Sequence, residues 1–542
     1  MAIDGPVPGT GYSLRAGFPQ LSAGGGFLYF LHSAPPAGFG FCDVYHYSTG
    51  AAPGGDQYSH QFGCSRECGI AWRCPAGVKV LFLAAEMAPL VKVGGLADVA
   101  GSLPPALRAL GHDVRGFLPF YRRFLDPAAC RPLGRNLRLW GLEYPLHYTE
   151  EPGFPVYLLE ADGLYDRPGV YGEGGDGYHD NDLRYGVFAA AGAALGEAAG
   201  WRPDLLHLHD WHAAATAVHA RLQGGPPTLL TIHNLAYQGV FARESLGRLG
   251  FAADLFHPGA VEFHGQVNVL KGGLVAAGRV GTVSPTYAGE ICTRDYGEGL
   301  EGVLANLAHP PVGILNGLDQ ARWNPAADAA VEPVDAGNPR PGKAANKARV
   351  ARELDLEEGR PLAGMVTRLA AQKGVDLVVE ALPDLLASGL NLAVLGDGDR
   401  ELLRSLEEAS RDHPGRLAFR REFNDPLARR IYAGSDLFLV PSRFEPCGLT
   451  QMIAMRYGSV PVVRRTGGLA DTVRDGEDGF VFAAAKAQAL VEAVRRALAS
   501  LEGGRGQEWL ELVRRGMSRD FSWDRSAGRY AELYRETAEV GA

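Results

Sequence analysis

Cysteine is scarce in this chain of 542 residues: its seven thiols are too few for a disulfide framework, which suits a reducing compartment. Nowhere do about 18 apolar residues run together, so no membrane span is expected. Net positive charge is missing as well. A formal charge of -9 and a pI near 6.0 remove the basic field that a nucleic acid or an anionic membrane surface requires. The N-terminus has neither a basic n-region nor a long apolar core, because the run at 27–31 is short and flanked by glycine. A secretory signal is therefore not expected, and the cytoplasm is. Lysine is absent from residues 1–77, which hold fifteen glycines and only seven charged residues.

That first stretch shows no sustained period of 2 or 3.6, so 1–77 reads as a poorly ordered N-terminal extension outside the enzyme proper. Cys42, Cys64, Cys68 and Cys74 fall within it. A zinc site is the alternative, although their spacing is not that of a usual finger. What remains is long enough for more than one hydrophobic core.

Apolar runs alternate with helical patterns from Val78 onward. Strands are expected at 78–85, 113–119, 156–160, 205–209, 228–233 and 280–283, with a helix at 97–110 closed by Gly111. A second series has strands at 361–366, 391–395, 416–419, 437–440 and 460–463 and a periodic helix at 485–501. Strands separated by helices imply parallel α/β sheets. The domains expected are 78–325 and 326–512, with 326–341 as a linker rich in Ala, Pro and Asp. A last helical segment, 513–542, has no docking partner in the sequence; packing back on the first domain is one option.

In open α/β sheets ligands bind beyond the carboxyl ends of the strands, and several polar clusters fall there. Lys92-Val93-Gly94-Gly95 occupies a strand-to-helix turn, where glycines allow close backbone approach, amides attract anions and a lysine adds charge. An ordinary turn with an exposed lysine fits equally well. Neither a Walker loop nor a dinucleotide fingerprint is present. Arg368 and Lys373 follow the strand at 361–366, and a guanidinium beside an ammonium suits a diphosphate; simple surface charge is the plainer reading. His207, His209 and His212 surround Asp210. A metal site there would need a fourth ligand that is not evident, so Asp210 is read as a sugar-hydroxyl ligand. His233-Asn234 ends the next strand with a donor and an acceptor. Thr466-Gly467-Gly468 repeats the strand, Gly-Gly, helix arrangement and could hold a second phosphate. Glu445, in Glu445-Pro446-Cys447-Gly448-Leu449-Thr450, places a carboxylate near the same crevice; pairing with Arg443 is its plainer reading.

Taken in series, Lys92-Val93-Gly94-Gly95-Leu96-Ala97-Asp98-Val99, His209-Asp210-Trp211-His212, Thr231-Ile232-His233-Asn234-Leu235-Ala236-Tyr237-Gln238-Gly239, Val283-Ser284-Pro285-Thr286-Tyr287, Ile314-Leu315-Asn316-Gly317-Leu318-Asp319, Thr367-Arg368-Leu369 with Gln372-Lys373-Gly374, and Glu445-Pro446-Cys447-Gly448-Leu449-Thr450-Gln451 resemble bacterial glycogen synthase and plant starch synthase. The resemblance runs from about Val78 to the C-terminus. It implies the GT-B fold, two Rossmann-like doubly wound domains facing across a cleft. It also implies transfer of glucose from ADP-glucose to the non-reducing end of glycogen or another α-1,4-glucan with retention, without metal or cofactor. By the same resemblance Lys92, Gly94 and Gly95 would contact the donor, Arg368 and Lys373 would neutralise the leaving ADP, and Glu445 would hold the transferred glucose. Cys447, Gly448 and Leu449 would shape that pocket, and His233, Asn234 and Asp210 would serve the sugar from the other domain. Family members often have Thr where Val93 stands, which removes one hydroxyl. A glucan phosphorylase, or an inactive glucan-binding protein, is the rival; the first needs a late lysine for pyridoxal phosphate, and only Lys486 follows Lys373.

Overall fold

The computed structural model describes residues 77–422, 424–502 and 506–540, together with the backbone of Ile3–Pro6 and Ser13–Ala16, which pair antiparallel. The four N-terminal cysteines, and most of the stretch read as a poorly ordered extension, lie outside the described residues.

Two mainly parallel sheets organise the rest. The first has nine strands in the order Val312–Gly313, Arg279–Thr282, Thr228–Ile232, Leu205–His209, Lys79–Leu83, Asp113–Pro119, Val156–Leu159, Leu142–Thr149, Arg131–Leu139. The second has six: Leu417–Arg420, Asn391–Leu395, Leu362–Val366, Leu437–Val440, Val460–Arg464, Phe480–Phe482. Strands flanked by helices on both faces are buried throughout, so they read as unbroken apolar runs. Leu437–Val440 is buried at every position, as is Lys79–Leu83 after its first residue.

Each sheet has its own core. One contains Val80, Phe82, Phe117, Leu206, Leu230 and Tyr287; the other contains Met365, Leu392, Leu439, Val462 and Leu490. Ile314 belongs to the first core and Leu318 to the second, so the chain crosses at 315–317. The stretch at 326–341 is therefore no free linker. Val331 and Val334 are buried in the second core, and Asp328 pairs with Arg429 at 2.8 Å.

A return crossing lies beside the first. Helix Gln507–Met517 contributes Leu512, Val513 and Met517 to the second core, whereas helix Trp523–Val540 contributes Trp523, Tyr530 and Tyr534 to the first. Between these helices the Leu318 amide donates to the Phe521 carbonyl at 2.6 Å. Packing is close enough that a Cβ on Gly317 would sit 2.6 Å from the Trp523 backbone, so only glycine fits at this hinge pair. The last helix is fixed by side chains as well: the Tyr534 hydroxyl lies 2.7 Å from His207 Nδ1, 327 residues away in sequence.

Candidate active site

Where the strands of the second sheet end, a cavity of about 50 Å³ is lined by Thr367, Lys373, Ser442, Glu445, Gly448, Leu449 and Thr450 among others. Glu445 is buried at 6 % exposure. Its Oε2 accepts from Lys373 Nζ at 2.6 Å and from the Ser442 hydroxyl at 2.9 Å. The expected rival partner, Arg443, is engaged elsewhere, with both its terminal nitrogens on Asp376 at 2.6 and 2.7 Å. Lys373 and Glu445 thus form one unit at the cavity wall. Helix Thr450–Arg456 begins there, and the amides of Leu449 and Thr450 meet no acceptor among the described residues. A lysine and two amides without an acceptor at one wall are groups that could receive an anion.

Arg368 is exposed and reaches the opposite domain, donating from Nη2 to the Tyr237 hydroxyl at 3.2 Å. It does not line the small cavity, so the expected convergence with Lys373 is not made by direct contact. Tyr237 belongs to the same run as His233 and Asn234, Thr231 to Gly239, but the sequence assigned it no role of its own.

On the first sheet, Asp210 follows strand Leu205–His209 with a left-handed φ of 56°. Its Oδ1 accepts from the His233 amide at 2.7 Å. Burial raises its pKa to about 7, against the lowering effect of the His233 and Asn234 amides; nearby Glu86 adds to the rise. His233 Nε2 lies 2.8 Å from His209 Nδ1, and burial pushes the His233 pKa down to about 3, so the ring is neutral at physiological pH. Asn234 uses its Oδ1 locally, accepting from the Ala236 amide at 3.1 Å. The histidine cluster is structural in part: His207 has both ring nitrogens engaged, with Tyr534 and Thr231. Among the described residues no group of three or more His, Cys, Asp or Glu is placed to hold a metal ion.

The two Gly-Gly turns differ from their sequence reading. Lys92 pairs with Asp98 at 2.7 Å, both half-exposed, and Arg322 approaches the same carboxylate at 3.6 Å. Such a pair is weak and exchangeable. The amides of Val93 and Gly94 are not free; both donate to Glu86, a buried residue the motif did not single out.

The expected second phosphate seat, at Thr466, Gly467 and Gly468, is filled. Glu290 of the first domain accepts from the Gly467 amide, at 3.1 Å to each oxygen, and from the Thr466 hydroxyl at 3.0 Å. In return Asp471 accepts from the Ser284 and Thr286 hydroxyls at 2.6 Å each and from the Thr286 amide at 3.0 Å. Each carboxylate thus sits at the start of the other domain's helix, Pro285–Glu290 and Gly467–Thr472. These glycines serve packing too: a Cβ on Gly467 or Gly468 would lie 2.0 Å from the carbonyl oxygen of Glu445 or Cys447. The turn carries the 445–447 segment on its back, and its Thr466 and Gly467 donors face Glu290 of the other domain.

Comparison with known proteins gives this geometry its context. Residues 79–306 match the family model described as the starch synthase catalytic domain, and residues 346–503 match glycosyl transferases group 1. A glycogen synthase from Syntrophotalea carbinolica is 43 % identical over 490 residues, covering 85 % of this chain and 99 % of that protein. The chain belongs to the glycogen and starch synthase family. A further glycogen synthase, from an Anaeromyxobacter species, is 46 % identical over 478 residues, covering 85 % of this chain and all of its own length. The catalytic domain of starch synthase IV from Arabidopsis thaliana, solved with ADP and acarbose, superposes with a TM-score of 0.78 at 35 % identity, over 85 % of this chain and 100 % of that one. The two sheets are the two halves of a GT-B glycosyltransferase.

Cys447 is buried and packs with Val283 and Met452. Burial raises its thiol pKa to about 12, so it packs as a small apolar group and not as a thiolate. Gly448 turns the chain with a φ of 74° before the helix.

The clasp predicts a measurable effect on closure. Glu290→Ala is expected to raise the KM for the sugar donor several-fold, on the order of what losing charge-assisted hydrogen bonds to one carboxylate gives. Small-angle scattering checks it: the wild-type radius of gyration should shrink on adding ADP and a glucan, and the variant should stay wider.

Proposed function

We propose that this protein is a cytoplasmic glycogen synthase that moves glucose from ADP-glucose to the non-reducing end of an α-1,4-glucan with retention. The observation that carries the reading is the Lys373–Glu445 pair at 2.6 Å, set at a parallel sheet's carboxyl edge beside outward helix amides. Displacing a nucleoside diphosphate from an anomeric carbon builds negative charge on phosphate and positive charge on the sugar. Fixed cations and amides are then worth most at the phosphate, and carboxylates at the sugar. In this reading Lys373, Arg368 and the start of helix Thr450–Arg456 receive the diphosphate. Lys92 leaves Asp98 to join them, and Glu445 lies against the sugar hydroxyls. Asp210, held by backbone amides across the cleft, faces the developing cation with neutral His233 and Asn234. A retained configuration fits attack on the face the diphosphate leaves, since Cys447 stays protonated and Glu445 is tied to Lys373 and Ser442.

Neither rival has a comparable observation. Lys486 is exposed and lies just before helix Ala487–Glu502, so it offers no enclosed seat for pyridoxal phosphate. An inactive glucan binder would not need the cation, carboxylate and amide set that persists here. The test is to mix purified protein with ADP-glucose and glycogen. ADP release matched by glucose incorporation supports the assignment, and absence of both refutes it.

Asp210 gives the reaction a pH dependence. Its folded pKa is raised, so its contribution to stability is present below the unfolded value and is lost as pH climbs from about 4 to about 7. Catalysis runs the other way, because only the carboxylate stabilises a sugar cation. The kcat/KM profile should therefore show an acid limb near pH 7 that is absent from the residual activity of Asp210→Asn.

The role of residues 1–77 follows the same reading. The 79–306 match begins just after them, and we expect their removal to leave kcat, donor KM and melting temperature essentially unchanged. An inactive or insoluble truncation, or one equivalent of zinc in the full chain, would show that the segment belongs to the enzyme.

A further inference from the structure

Glu86 carries a carboxyl group buried to 4 % exposure. It stands three residues beyond strand Lys79–Leu83. The Met87 amide donates to the Val91 carbonyl at 3.0 Å and the Val91 amide to the Met87 carbonyl at 2.9 Å. This pinch returns the chain so that Val93 and Gly94 come back over Glu86. Oε2 then accepts from both of their amides, at 2.6 and 2.7 Å. Oε1 accepts from the Tyr171 hydroxyl at 3.1 Å, which belongs to a different part of the chain. A side chain on Gly94 would bring a Cβ 3.4 Å from Oε1, so the turn lies directly on the carboxylate.

We propose that Glu86 is a positioning residue of the transfer reaction: it fixes the Lys92 turn, from within the protein, in the conformation that receives the donor. The proposal rests on reading that turn as the donor's seat. Two adjacent amides aimed inward leave Lys92 and the outer edge of Gly95 as what the turn offers a ligand. Val93 meets Glu86 through its backbone amide, while its side chain is 59 % exposed. Without the carboxylate, two amides and a hydroxyl in a closed space lose their acceptor, and the turn must rearrange to recover hydrogen bonds. A carboxamide can do the same work, its oxygen accepting from both amides while its NH2 faces Tyr171. The geometric role is therefore separable from the charge.

The experiment compares Glu86→Ala, Glu86→Gln and Lys92→Ala in the full-length protein, with separate KM values for ADP-glucose and glycogen and melting curves to establish folding. Glu86→Ala should raise the donor KM about 10-fold or more and lower kcat, leaving the glycogen KM within about 2-fold; Glu86→Gln should restore most of the loss. If Glu86→Ala does not fold, Tyr171→Phe, which removes one of the three bonds, should raise the donor KM about 2- to 5-fold. An unchanged donor KM in folded Glu86→Ala, or in Tyr171→Phe when it stands in, overturns the proposal, as does a Gln variant no better than Ala. Lys92→Ala separates the layers. If it also leaves the donor KM unchanged, the turn is not the donor's seat; if it alone is impaired, only the role of Glu86 fails.

Discussion

Replacing Arg368 with Ala should lower kcat by about 10²- to 10³-fold, a loss of about 2.7 to 4 kcal/mol, the range for removing one donor that stabilises charge in a transition state. Arg368 is exposed and its contact, the Tyr237 hydroxyl, is uncharged, so the fold does not depend on it. Its removal should leave the melting temperature within about a degree or two, as for most surface changes. The effect belongs to kcat because the charge on the leaving phosphate grows as the bond breaks; a guanidinium there favours the transition state over the bound donor. Steady-state kinetics over both substrates decides. Unchanged kcat with a higher donor KM would mean that Arg368 only helps binding.

The second large effect is at Glu445. Glu445→Gln keeps the size of the side chain and an oxygen able to accept from Lys373 and Ser442, so the fold should survive. Loss of the negative charge leaves Lys373 unneutralised beside the sugar and removes the carboxylate opposed to the developing cation. Transfer should drop by about 10³-fold or more. Turnover close to wild type in a variant with a normal melting curve would contradict this. Azide provides a second check: rescue with an inverted product would make Glu445 a covalent nucleophile, the route of retaining glycosidases, in place of front-face attack.

Much of the fold was legible because parallel strands buried on both faces are unbroken apolar runs. Asp113–Pro119, Leu205–His209, Asn391–Leu395 and Leu437–Val440 agree residue for residue with the periods in the sequence. The antiparallel pair Arg131–Leu139 and Leu142–Thr149 was not, because its outer strand is mostly exposed and its register slips between Pro132 and Asn136. An edge hairpin of that kind lacks the alternation a half-buried strand would show. The C-terminal helix had no visible partner since its anchor, Tyr534 on His207, spans most of the chain.

Site residues were legible as motifs and less so as geometry. Lys373 and Glu445 stand 72 positions apart, and nothing local joins them. Likewise Thr466-Gly467-Gly468 carries every local mark of an anion seat, and an anion does sit there. It is Glu290, from 177 residues away, and a sequence cannot show that a site is already occupied by its own chain. Glu86 was missed for the opposite reason: it is one polar residue in an otherwise ordinary run, and its role exists only through the partners it meets. Tyr237 fell within the run from Thr231 to Gly239, and its contact with Arg368, 131 residues away, was not visible there.

The proposed reading sets the diphosphate at one wall of the cleft, and a crystal structure of the protein with ADP tests it most directly. The terminal phosphate is expected between Lys373 and Arg368, against the amides of Leu449 and Thr450, with Lys92 turned from Asp98 toward it and Glu86 still holding Val93 and Gly94. A phosphate bound instead on the amides of Thr466, Gly467 and Gly468, with Glu290 displaced, would contradict it.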